Sequence, residues 1–294
     1  MPTTADAASG ASPRTGRTAV RAHAAVRVER GTRGAPRLAE LRSDVPIVLR
    51  LTGGSPVRTG AHAGADPLPT MTVHLVNGAA GPLAGDDLRL DISVGRGVRL
   101  VLRSVAATVA LPGHGPGPSR LTVTAEVADG AELDFGPEPT VVADGADHRI
   151  TTDVRLAATA RLRLREEILL GRFGEPTGSI LSTLRVDVAG GAGAPGADPA
   201  GELSGWVPLL RQELLLGPRV PGLHGPAQLG GARAVGSLLV AGPEWAEAGA
   251  GPEAAVADGV ARLPLAGPGY LVSALADDAV TLRRRLTAMA DLAG

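Results

Sequence analysis

No cysteine occurs among the 294 residues, which excludes disulfides, thiolate metal sites and cysteine nucleophiles. Lysine is missing as well, so all 29 strongly basic side chains are arginines. That bias fits a GC-rich coding sequence before it fits selection for bidentate arginine contacts. Aromatic residues make up only 2% of the chain, leaving few rings to stack on bases or sugars. A formal net charge of −1 gives no whole-chain field to gather nucleic acid. No apolar run approaches the ~20 residues that a membrane helix requires. The opening MPTTADAASGASPRTGRTAV also lacks the apolar centre of a secretory signal. A cytoplasmic protein that binds neither nucleic acid nor membrane is expected.

What is present is alternation. Residues 1–18 are small and polar and are expected to be disordered; beyond them period two dominates. Leu88, Leu90, Ile92 and Val94 share one strand face. Leu121, Val123, Ala125 and Val127 repeat the pattern, as do Ile150, Thr152, Val154 and Leu156; each set fits a strand with one buried face. DISVGRGVRLVL (91–102), TAEVADGAELDF (124–135) and DVRLAATARLRL (153–164) each read as strand, tight turn, strand, recurring about every 30 residues. Stacked solenoid-like layers and ordinary antiparallel hairpins both fit that recurrence. The expected fold is mainly β: a layered β-sandwich or solenoid-like stack of antiparallel strands, forming a single domain over 19–294. Stretches 190–201 and 241–259 read as flexible loops. After Asp277 as N-cap, Ala279, Leu282, Leu286 and Met289 form a helical stripe near 277–291, with Arg283, Arg284 and Arg285 largely off it.

Few chemistries are available. The loop from Gly78 through Gly81 to Gly85 ends in Asp86 and Asp87. It lacks the lysine and hydroxyl of a phosphate loop and the alternating acids of an EF-hand. It is either a turn before a strand or a feature directed at a cation or a donor-rich partner. Glu166 and Glu167 point to opposite faces of a strand. One of them must face inward, where a buried carboxylate needs a partner, and Arg165 or Arg172 is the nearest in sequence. The six histidines form no HxH or HExxH pattern, so no local metal cage is expected. His74, between Val73 and Leu75, reads as a satisfied strand residue. No catalytic triad can be assembled, and a binding or delivery protein fits better than an enzyme.

Ordered motifs resemble the UreD (also UreH) family of urease accessory proteins. Gly78-Ala79-Ala80-Gly81-Pro82-Leu83-Ala84-Gly85-Asp86 is similar to that family's glycine-rich loop ending in Asp. Ala106-Ala107-Thr108 resembles its Ala-(Ala/Gly)-(Thr/Ser) element, and GAELDFGPEPTVVADGA (130–146) a Gly-Ala-x-Leu-Glu-Trp segment with Phe135 in place of Trp. EEILLGR (166–172), with Gly171, Arg172 and the following Gly174-Glu175, looks like its acidic-x-x-x-Leu-Gly-Arg element. LVSALADDAVTLRRRL (271–286) is similar to its closing strand and helix.

The resemblance implies a non-enzymatic nickel-delivery scaffold. Such proteins link urease apoprotein to UreF, and through UreF to the GTPase UreG. They bind no cofactor tightly and pass nickel(II) transiently. Asp86 and Glu166 are then the leading candidates for the metal path, with Glu175 and Glu138 behind them and Thr108 as a neutral oxygen. Two alternatives stand beside this one. The first is a carbohydrate-active β-sandwich using acids such as Asp134 and Glu166; the second is an assembly protein with no metal role.

Overall fold

The structure, a computed structural model, describes residues 18–54, 68–113, 115–190, 205–246 and 252–292. Nearly all of the expected disordered segment 1–18, and nearly all of the expected loop 190–201, lie outside these residues.

The alternating stretches form two packed sheets. In the seven-stranded, narrow sheet, Arg21–Arg30, Asp87–Val94, Ser119–Val127, Asp147–Leu156 and Ser179–Ala189 run parallel to one another. In the eleven-stranded, wide sheet, Thr70–Asn77, Arg99–Ser104, Glu132–Gly136 and Arg161–Leu170 do the same. Antiparallel strands such as Trp206–Leu216 and Ala234–Ala241 are added outside this parallel centre. The solenoid-like stack is therefore present, and the expected antiparallel direction is corrected. Alternation reports which face is buried but carries no information about the neighbour's direction.

The three recurring segments are corners, not hairpins. Each carries the chain from a narrow-sheet strand to a wide-sheet strand, and successive corners stack. Ala128 N–H donates to Val94 O and Ala157 N–H to Val127 O, both at 2.9 Å. Residue-for-residue register follows: Leu88 lies beside Leu121, and Leu121 beside Ile150. Slipping any strand by one residue would turn its apolar set outward. The core so formed is aliphatic, with Leu90, Leu100, Leu102, Leu133, Leu156 and Leu162 among its largest fully buried side chains. Each contributes about 1.5–3 kcal/mol of burial, which is how a chain so poor in rings fills its interior.

The C-terminal helix Ala279–Asp291 packs on the outer face of the wide sheet through Leu282, Leu286, Met289 and Ala290. Its N-cap is Asp278, one residue later than expected; Oδ1 accepts from Val280 and Thr281 N–H at 2.8 and 2.9 Å. Two of the three arginines are not free surface groups, since Arg283 and Arg285 both reach back to the body. Within 241–259, expected as a loop, Pro243–Trp245 forms a 3-10 turn and Ala255–Ala257 an edge strand. No helix among the described residues is long and apolar enough to cross a membrane.

One buried polar group sets a pH response. His148 is 0% exposed; its Nδ1 lies 2.8 Å from Ser119 Oγ, and its Nε2 has no hydrogen-bond partner among the described residues. Burial pushes the imidazole down to about 4, against an opposing contact from Ser119. As pH falls below ~6.5 the unfolded chain takes up a proton that the folded chain refuses. The stability is complete above that value and is lost towards about pH 4, by up to about 3 kcal/mol. Urea titrations at pH 7.5 and 4.5 should show a smaller acid loss for His148→Asn than for the parent; equal losses would exclude this role.

Candidate functional site

The site begins with two prolines. Arg161–Leu170 pairs with Glu132–Gly136 along its first part and with Thr140–Val142 along its last, where Thr140 lies opposite Ile168. Between them, at residues 165–167, Pro137-Glu138-Pro139 interrupts the ladder. Neither proline can donate a ladder hydrogen bond. The next strand is broken at the same level, Arg99–Ser104 giving way to Thr108–Ala110. Ser104 holds the break open in a defined shape: its Oγ accepts from Glu138 N–H at 2.7 Å and donates to Ala106 O at 3.1 Å.

A cavity of about 100 Å³ lies at this interruption. Its apolar wall comes from between the sheets, with Leu88, Leu90, Leu121 and Val123. Its polar part includes Thr108, Glu138, Arg165, Glu166 and Glu167. Because Glu166 and Glu167 belong to opposite faces of one strand, the cavity is bordered by groups from both faces of the wide sheet.

Glu166 is the inward acid. It is half-buried and lines the cavity. Its partner is neither Arg165 nor Arg172, as sequence proximity suggested. Ser182, from the opposite sheet, donates to Oε1 at 2.6 Å, while Oε2 accepts no hydrogen bond among the described residues. Burial pushes the carboxyl above its ordinary range, and the Ser182 bond opposes that shift.

On the outer face Glu167, with a fully buried side chain, meets two arginines. Arg165 Nε lies 3.5 Å from Oε1, and Arg283 Nη2 lies 2.5 Å from Oε2. Arg283 also takes Glu138 in a two-pronged contact at 3.1 and 3.0 Å. These bonds raise the pKa of Arg283, whereas desolvation lowers that of Arg165. Ser104, Ser182 and Arg283 carry the site yet were not singled out from the sequence.

The other expected site residues fall elsewhere. Asp86 is 2% exposed, and both oxygens are engaged by backbone: Val20 N–H donates to Oδ1 at 2.8 Å and Leu83 N–H to Oδ2 at 2.9 Å. It braces the loop whose Gly81 and Pro82 line the cavity, without itself lining it. Glu175 sits in an exposed clasp with Arg172, bonded at 2.7 and 2.6 Å, which holds its carboxyl down to about 2. Gly171 makes that turn possible at φ +78°, where an added Cβ would lie 2.5 Å from Glu175 O. His74 is satisfied by Thr52 Oγ1 at 2.6 Å, as expected.

Asp134 pairs with Arg99 and Arg103 at 3.1 and 2.8 Å. It shares its face with Arg163, opposite to that of Glu166, so the two cannot flank one glycosidic bond. The pairing of Asp134 with Glu166 is thereby corrected. Among the described residues, no group of three or more His, Asp or Glu is arranged to hold a metal ion.

Comparison with known proteins agrees along almost the whole chain. The family model described as UreD urease accessory protein matches residues 20–293. A protein of Frankia alni named urease accessory protein UreD is 86% identical, with 100% of both chains covered. Its namesake in Frankia casuarinae is 67% identical over 93% of this chain and 89% of its own. The namesake in Streptomyces coelicolor is 42% identical, covering 91% and 94%. The chain belongs to the UreD family of urease accessory proteins.

Proposed function

We propose that this chain acts in urease maturation as a non-catalytic scaffold, linking urease apoprotein to UreF and through UreF to UreG, and that it passes nickel(II) through the interrupted wide sheet. The carrying observation is Glu166: a carboxylate with one oxygen uncommitted among the described residues, at a cavity bordered by groups from both sheet faces. Nickel(II) accepts carboxylate, hydroxyl and water oxygens. A conduit must also release what it binds. Burial raises the pKa of this carboxyl, which weakens its hold on any cation it binds relative to an unshifted acid and suits release. Glu138 and Thr108 supply further oxygens, Asp86 braces the Gly81–Pro82 wall, and Glu175 fixes the adjoining corner. Membership of a urease accessory family supports this reading of the partners and of a cytoplasmic setting.

Glu166→Gln keeps the shape and the Ser182 contact while removing the charge. Co-expressed with urease subunits and the other accessory proteins, it should retain complex formation on co-purification and lower urease activation on the order of tenfold. Unchanged activation with an intact complex would favour an assembly protein with no metal role. Failure of the parent chain to co-purify with any of these components would remove the scaffold reading.

A further inference from the structure

We infer that Arg283 is a displaceable counter-ion that latches the C-terminal helix over the outer mouth of the cavity, so that a divalent cation enters only as this guanidinium leaves. The inference rests on the reading that the cavity carries such a cation.

Three observations converge. First, a single nitrogen, Arg283 Nη2, lies 2.5 Å from Glu167 Oε2 and 3.0 Å from Glu138 Oε2. It occupies the point between two carboxylates where a divalent ion would draw most from both. Second, these contacts join segments far apart in the chain, 116 and 145 residues from Arg283. They are a clasp between the helix and the break in the sheet, not a local turn. Third, Glu166 lines the same cavity and only its Oε1 is hydrogen-bonded among the described residues, so an ion admitted at the mouth has a further acceptor to move to.

Charge decides the behaviour of the mouth. Arg165 and Arg283 balance Glu138 and Glu167, and a neutral cluster exerts little pull on a cation. With Arg283 withdrawn, two carboxylates face one arginine, and Arg165 stands 4.0 Å from Glu138 and 3.5 Å from Glu167. The mouth then becomes net negative. Arg283 can leave without unfolding the helix, because the buried Leu282, Leu286 and Met289 dock it independently of the ion pairs. Helix attachment and cation entry therefore compete for the same two carboxylates. By reciprocity, a cation at the mouth loosens the helix as much as the helix weakens the cation.

The test uses the full chain and nickel(II) alone, with affinity by titration calorimetry and helix attachment by amide hydrogen exchange over residues 279–291. Arg283→Gln is expected to bind nickel(II) on the order of tenfold more tightly than the parent and to exchange faster along the helix. Adding Glu138→Gln and Glu167→Gln should abolish the gain. In the parent, saturating nickel(II) should speed helix exchange, with magnesium(II) at matched ionic strength as the control for screening. If Arg283→Gln does not fold, Arg283→Lys, which keeps the charge but cannot span two carboxylates with a planar fork, should give a smaller gain in the same direction. Nickel affinity and helix exchange equal to the parent in the folded variant overturn the latch. Should that occur while Glu166→Gln still impairs urease activation, the latch fails and the conduit stands. If Glu166→Gln is silent while Arg283→Gln binds more nickel, the latch stands as a cation switch and the conduit fails.

Discussion

Asp86→Ala is expected to lower the free energy of unfolding by about 3–5 kcal/mol. The carboxylate is buried and accepts two backbone N–H groups, from Val20 and Leu83. Hydrogen bonds to a charged acceptor contribute roughly 1.5–3 kcal/mol each, and donors left buried without a partner carry the desolvation cost in full. The neighbouring Asp87 is the internal control: it is exposed, and its replacement by alanine should change stability by less than ~0.5 kcal/mol. Urea unfolding of the two variants side by side is the measurement. Similar, small losses for both would mean that the loop does not depend on its acid. This contrast explains why a glycine-rich loop here ends in negative charge: the carboxylate serves backbone amides of its own turn and of the chain entering the first strand.

Glu167→Ala is expected to cost about as much, roughly 3–5 kcal/mol, for a different reason. Its fully buried side chain balances Arg283 and Arg165; Arg283 keeps Glu138 when Glu167 is removed, but the largely buried Arg165 loses its nearest counter-charge. Replacing both Glu167 and Arg283 by methionine should recover most of the loss, because a buried pair exchanged for apolar volume is often near neutral. Thermal and urea denaturation of the single and double variants would read this directly; a single substitution below about 1 kcal/mol would show that the pair is relaxed by solvent. Glu166→Gln should be close to neutral in stability, because burial already disfavours the charge it removes. Adjacent glutamates are thus expected to separate, the loss of Glu167 registering in folding and, on the proposed function, that of Glu166 in activation.

The sequence was most informative where physics is local. Alternation placed Leu88, Leu90, Ile92 and Val94 inside, and all four are buried. Parity separated Glu166 from Glu167. The helix stripe was legible from its spacing, with an error of one residue at the cap. What could not be read was anything requiring a neighbour's identity. A tight corner between sheets and a hairpin within one sheet have the same composition, so strand direction was missed. Ser182 reaches Glu166 from the opposite sheet, and Arg283 reaches Glu167 across 116 residues; neither leaves a trace near its partner. One signal was available and went unused: Pro137 and Pro139 flank Glu138 inside a strand-like pattern, which marks a broken ladder before any coordinates are known.

Stacked rungs also imply an order of assembly. Most parallel strands find their neighbour in the segment synthesised just before them, so the body can extend layer by layer as the chain emerges. The helix that carries Arg283 follows these strands in the chain, so its two carboxylate partners precede it by more than a hundred residues. On the latch proposed above, a nascent chain completes its walls before the doorway between Glu138 and Glu167 receives its arginine.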